Sequence, residues 1–314
     1  MDVVLDQPPA YLLSRRRIPP SPDLRPDRVG RMHWYSVDSA ANFRKRPHAS
    51  IGPQDVEYHI NSDGYRCPEL AGRDWAADPS FRLVGIGSSG LFGAALPEPD
   101  TFLAVLARDL AATLGRPVTH WNLGVGGSSP DLVTRLLCSV LPVMRPHLLV
   151  LTAFPINRRE LFGETGRPFT VDARPHWQHR LLDPERSAMH RAARTICNPA
   201  NNLMNLLVNI KTWESFCDDA GVPWLFVTEA YTRHLEPLLG LLREPRRIVG
   251  PGIHALIDAH RDEPSTGLAR DFIHAGRLPN RLIAGQLLDA LTALYPAQVA
   301  AWRQPDQTMG AATA

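Results

Sequence analysis

From Phe81 onward the chain alternates short apolar runs with capped amphipathic stretches, and this alternation constrains the fold more than any other feature. Leu83–Ile86 reads as a short buried strand. Thr101–Leu114 follows as an amphipathic helix behind Asp100, closed by Gly115 and then Pro117, because glycine adopts the left-handed C-cap and proline cannot continue the helix. Val118–Leu123 is the second strand. Ser129 and Pro130 then supply an N-cap and an N1 proline for a helix to about Val143. His147–Thr152 is the third strand, Asn202–Ala220 a helix, Trp224–Thr228 the fourth strand and Leu278–Leu294 the closing helix. Between Tyr231 and Ala269 the helical patterns are weak, broken by Pro237, Pro245 and Pro251. Strands alternating with helices of this length predict an α/β fold, a three-layer α/β/α sandwich whose mostly parallel sheet is covered on both faces.

Residues 1–75 are rich in Pro, Arg and Asp and carry only short apolar stretches such as Val56–Ile60. They are expected to form an extended segment that packs on a domain spanning 76–298, followed by a flexible tail over 299–314. Asn61–Tyr65 has the Asn/Asp/Gly chemistry of a tight turn. A long insertion of mixed polarity, about 157–199, reads as a lid or substrate loop.

With 44% hydrophobic and 21% charged residues, the composition is that of an ordinary soluble globular protein. A formal charge of +2 leaves no general excess of cations for nucleic acid. Almost all the basic residues are arginine, with Lys45 and Lys211 the only lysines. No apolar run reaches the roughly 18 residues that span a bilayer, and the acidic N-terminus precedes no signal-peptide core, so a cytoplasmic protein with no membrane partner is expected. The cysteines, Cys67, Cys138, Cys197 and Cys217, lack the paired spacing of a zinc or dithiol motif and read as free buried thiols.

Chemistry concentrates where the first strand runs into Gly85–Gly93. Gly85, Gly87 and Gly90 satisfy GxGxxG formally, which opens a dinucleotide-binding oxidoreductase reading. That reading needs a long helix at once and an acidic residue about 20 positions on. Pro97 and Pro99 forbid the helix, and the second strand ends at Trp121–Leu123 without a carboxylate. The competing reading presents Ser89 as a nucleophile at the carboxyl end of the strand. Asp271 and His274, just before the last helix, fit it: a carboxylate three residues from a histidine on a loop can orient the imidazole that deprotonates a serine.

Across about residues 80–296 the chain resembles the SGNH or GDSL hydrolases, with four blocks in order. Gly87-Ser88-Ser89-Gly90-Leu91-Phe92-Gly93 resembles the nucleophile block, Asn122–Ser128 the block whose glycine, here Gly127, donates to an oxyanion, Phe154–Asn157 the block that supplies an asparagine, and Asp271–His274 the DxxH block. The resemblance implies an SGNH/flavodoxin-like sandwich and an ester or thioester hydrolase, or an acyl transferase, that needs no metal or cofactor. Ser89 would attack, His274 would carry the proton, Asp271 would hold the imidazole, and the amides of Ser89, Gly127 and the Asn157 side chain would stabilise the oxyanion. Ser88 stands where the family has Asp, and Pro155 and Arg158 where it has Gly and Asp. These positions imply an altered pocket, with Ser88 and Arg158 as candidate substrate-binding residues and Arg158 suited to a carboxylate or phosphate. The same departures leave a non-catalytic SGNH-like binding protein as the alternative.

His176 and His179 lack the helix, glutamate and third ligand of a metal site, and His254 and His260 read as structural or surface residues. Either of the latter replaces His274 as base only if the DxxH match is accidental. Arg15–Arg17 and Arg246–Arg247 read as solvated faces, though an acidic partner such as an acyl carrier protein would be drawn to them. The expected partner is a small-molecule ester or thioester, free or carried by such a protein.

Overall fold

The computed structural model describes residues 17–153, 158–162, 168–172, 197–263 and 265–303. In chain order, strands β1 (Gly30–Met32) and β2 (Tyr58–Ile60) pair antiparallel and enclose helix α1 (Ala40–Lys45). There follow β3 (Phe81–Gly87), α2 (Ser89–Phe92), α3 (Phe102–Leu114), β4 (Val118–Gly124), α4 (Pro130–Met144) and β5 (Leu148–Ala153). A second antiparallel pair, β6 (Arg158–Phe162) and β7 (Pro168–Asp172), precedes α5 (Pro199–Asp219). The chain continues through β8 (Trp224–Thr228), α6 (Glu236–Leu239), α7 (Ile253–His260), α8 (Arg277–Leu294) and α9 (Pro296–Arg303).

The main sheet has the order β4-β3-β5-β8, and all its described pairings are parallel. Every residue of β3, β5 and β8 is buried, which explains why these strands read as continuous apolar runs: both faces are covered. Successive side chains point to opposite faces. Val84 and Ile86 thus join Leu149, Leu151 and Phe226 under α4 and α5, while Phe81 and Leu83 join Leu148, Val150 and Val227 under α3 and α8. Each fully buried Leu or Phe contributes roughly 1.5–3 kcal/mol, so the two layers of core hold the sheet from both sides. The chain passes from β3 outward to β4 and then returns to β5 on the other side of β3. At such a reversal the loops leaving the carboxyl ends diverge and open a crevice.

Local chemistry sets the element ends. Thr101 caps α3 by accepting from Ala104 N–H at 3.4 Å, and Gly115 closes the helix at φ 66°. Ser129 caps α4, with Pro130 at its first turn. Helix α5 begins at Pro199 rather than Asn202, because Asn198 accepts from Asn201 N–H and Pro199 starts the first turn, the same cap-proline pair as in α4. After the glycines of β3 the helix lasts only four residues, and Pro97 precedes and Pro99 lies within a 3-10 turn at Glu98–Asp100, so the helix required by the dinucleotide reading is absent. Over Tyr231–Ala269 the prolines leave short pieces, of which α7 is the longest. The stretch expected as a tail from 299 is helical to Arg303, where Trp302 packs edge-on to Phe81 with centroids 4.8 Å apart.

The N-terminal segment is tied to the loops at the carboxyl edge. Gly64, at φ 84°, closes the Asn61–Tyr65 turn by donating to Asn61 O. Ile51, Val56, Tyr58 and Ile60 form a small core with Phe92, Ala95, Leu96 and Ala269. Arg66, 4% exposed, donates to the carbonyls of Phe92, Gly93 and Leu96, satisfying the acceptors at the end of α2. Arg270 is buried against Asp38, with bonds of 3.0 and 2.7 Å, and stacks over Trp34 at 4.1 Å.

Candidate active site

Ser89 begins α2 directly after β3 and is partly exposed. A β-carbon at Gly87 would lie 2.0 Å from Thr152 Oγ1, so only glycine lets the turn lie against β5. Ser88 is fully buried, its amide donates to Thr152 Oγ1 at 3.1 Å, and its own hydroxyl has no partner among the described residues. It therefore lies behind Ser89. Gly90 N–H donates to Glu229 Oε1 at 3.0 Å. The Ser89 amide, between these two, has no acceptor among the described residues, as befits the first turn of a helix.

Beyond β4, Val125 N–H extends the ladder to Gly87 O at 2.8 Å and Ser128 N–H closes a turn on Val125 O. Gly127 sits in that turn at φ 76°, and a β-carbon there would meet nothing within 4 Å. Its amide donates to no described residue. Gly124 allows β4 to approach α2, since a β-carbon would stand 2.6 Å from Phe92 N.

Asp271 and His274 form a bonded pair: Nδ1–H of His274 donates to Asp271 Oδ2 at 2.6 Å. Asp271 Oδ1 also accepts from the amides of Ile273 and His274, at 3.0 and 3.1 Å. The loop is pinned on both sides by Ala269 N–H to His274 O and Arg270 N–H to Ala95 O. Burial by itself would raise the Asp271 carboxyl, but the bond and charge of His274, with the two amides, hold it below its ordinary value. For His274, burial would lower the proton affinity. The bond and charge of Asp271 and the charge of Glu229 outweigh that and the opposing charge of Arg158, so His274 titrates above its ordinary value.

Arg158 opens β6, half-buried, and its charge acts on both His274 and His254. His254 stands in the first turn of α7 with its amide on Glu229 O at 3.1 Å, and burial lowers its proton affinity. His260 is paired with Glu263 at 3.1 Å near the surface. Asn157, with Phe154, Pro155 and Ile156, lies outside the described residues, as do His176, His179, Arg15 and Arg16. Arg246 pairs with Glu244 in solvent, whereas Arg247 is mostly covered, paired with Asp218 at 2.9 Å and stacked on Trp224.

Glu229 and Thr152 were not singled out by the sequence reading. Glu229 follows β8 and Thr152 lies near the end of β5, at the same carboxyl edge as Ser89, and neither position carries a local mark in the sequence. Cys67, Cys197 and Cys217 are buried, and burial raises the Cys67 and Cys217 thiols far out of the reactive range. Among the described residues, no cluster of three or more His, Cys, Asp or Glu could hold a metal ion, and no helix is long and apolar enough to cross a membrane. A cavity of about 460 Å³ lies away from Ser89, against Arg66, Glu98 and His120.

No protein-family model matches the chain, and no curated protein matches it. Several solved structures are similar to it. The lipase Lip_vut3 from a goat rumen metagenome is 13% identical over 67% of this chain and 97% of that one, with a TM-score of 0.43. The corresponding values for TesA are 14%, 68%, 99% and 0.45. AlinE4, described as an SGNH-hydrolase family esterase, gives 16%, 71%, 97% and 0.39.

Proposed function

We propose that the protein is a serine hydrolase acting on a small-molecule ester or thioester through an acyl-serine intermediate. The observation that carries this reading is the half-buried Asp271–His274 pair, bonded at 2.6 Å, on the sheet edge where Ser89 begins α2 with its own amide unengaged by any described residue. With Nδ1–H held by Asp271, the imidazole keeps the tautomer whose Nε2 can accept a proton. In this reading Ser89 Oγ attacks the acyl carbonyl as His274 Nε2 takes its proton. The oxyanion is stabilised by the amides of Ser89 and Gly127 and by the Asn157 side chain, where one donor is worth about 2.7–4 kcal/mol. Collapse expels the leaving group with the proton from His274, and water, or an acceptor alcohol or amine in a transferase, then attacks the acyl-serine. Arg158, whose charge reaches His274, supports a substrate with an anionic group.

The test is labelling with a fluorophosphonate, followed by peptide mass spectrometry. The adduct is expected on Ser89 and absent from Ser89→Ala; folded wild-type protein that takes up no label overturns the reading.

The pH dependence has a definite sign. His274 must be neutral to act as a base, and its proton affinity is raised, so kcat/KM for p-nitrophenyl acetate should climb with pH through a midpoint above the ordinary histidine value of about 6.5. A midpoint below that value would contradict the role of His274.

A further inference from the structure

Glu229 directly follows β8 and is 2% exposed. Its Oε1 accepts from Gly90 N–H at 3.0 Å and from the Thr152 hydroxyl at 3.4 Å, and Thr152 Oγ1 accepts from Ser88 N–H at 3.1 Å. One carboxylate therefore ties the carboxyl ends of β3, β5 and β8 together. Burying a carboxylate is unfavourable unless it is well bonded, and here its bonds lead to the two amides that flank Ser89. Gly90 permits the approach, since a β-carbon there would stand 2.8 Å from Glu229 Oε1.

Two effects follow. With Ser88 and Gly90 amides engaged, the Ser89 amide is the one of the three without an acceptor among the described residues. The charge of the carboxylate also acts on His274. Acting on that histidine are Asp271 from its own loop, Glu229 after β8 and Arg158 from β6. His254 on α7 lies beside them and interacts with Glu229, Asp258, His274 and Arg158. Asp271 and Arg277 act on His48, which packs on Phe272 from the N-terminal segment. Glu229 is thus a second carboxylate, from a different part of the chain, whose charge acts on the same imidazole.

We propose that Glu229 is a positioning residue: it locks the turn that carries Ser89 through Gly90 and Thr152, and it stabilises the imidazolium that His274 becomes when it takes the serine proton. This rests on Ser89 and His274 acting as nucleophile and base.

Glu229→Gln keeps the shape and the Oε1 acceptor and removes the charge. In the full chain, the His274 imidazole followed by ¹H–¹⁵N NMR should titrate with a lower midpoint than in the wild type, and the high-pH plateau of fluorophosphonate labelling at Ser89 should fall about tenfold. Thr152→Val keeps the charge and removes the hydroxyl link, so labelling should slow while the His274 midpoint stays at the wild-type value. An unchanged midpoint in cooperatively melting Glu229→Gln, or a lowered midpoint in Thr152→Val, overturns the proposal. If wild-type Ser89 takes no label yet the Glu229→Gln midpoint falls, the nucleophile assignment fails while the coupling of Glu229 to His274 stands.

Discussion

Ser89→Ala is expected to lower kcat for p-nitrophenyl acetate by about 10⁴-fold or more while leaving the melting temperature almost unchanged. In the proposed mechanism this variant lacks the atom that would form the acyl-enzyme, and residues that act as one catalytic unit show losses of this order. The stability should hold because Ser89 is partly exposed and its hydroxyl bonds no described residue, so the variant leaves no buried group unsatisfied. Since the proposed mechanism joins Ser89 and His274 in one proton transfer, Ser89→Ala combined with His274→Ala should be scarcely slower than Ser89→Ala alone. Steady-state kinetics on the purified variants decides the matter. Independent, multiplicative losses in the double variant, or an active Ser89→Ala, would place the chemistry elsewhere.

Asp38→Ala should be the most destabilising single change in the N-terminal segment. Arg270 is 1% exposed and directs its guanidinium to both oxygens of Asp38, to the carbonyls of Gly52 and Pro53 and to that of His33. Tyr58 donates its hydroxyl to Asp38 as well, at 2.6 Å. Removing the carboxylate leaves a buried cation without its counter-charge, which costs about 3–5 kcal/mol. Replacing both partners, as Asp38→Leu with Arg270→Met, should recover much of that loss, because an apolar pair of similar volume avoids the desolvation of two charges. Urea unfolding measures both. A loss under about 1 kcal/mol for Asp38→Ala would show the pair to be solvated in practice. Because Arg270 directly precedes Asp271, the single variant should also weaken activity at temperatures where the fold persists.

Local chemistry accounts for what is legible in the sequence. The apolar runs at Leu83–Ile86, His147–Thr152 and Trp224–Thr228 marked strands because a parallel sheet covered on both faces has no polar alternation to hide them. Ser129 with Pro130 marked a helix start by capping chemistry. The equivalent Asn198 with Pro199 stands out less, because the sequence just before it has no apolar run to separate a helix from the insertion. Asp271 and His274 were legible together because three residues on one loop can bring a carboxylate to an imidazole without help from the rest of the chain. Glu229 was not: an acidic residue after a strand has no local mark that distinguishes a surface carboxylate from one buried beneath Gly90.

By itself the sequence determined the layered α/β architecture, the glycine-rich turn that exposes Ser89 and the pairing of Asp271 with His274, since periodicity, capping and short loops act within a few residues. Only the tertiary structure decided which groups surround that turn. Arg270 meets Asp38 across 232 positions of chain, and Gly90 meets Glu229 across 139. Such contacts arise from the order of the strands and the burial of unlike charges and dipoles together. Neither the strand order nor the depth of burial is a property of any short stretch of residues.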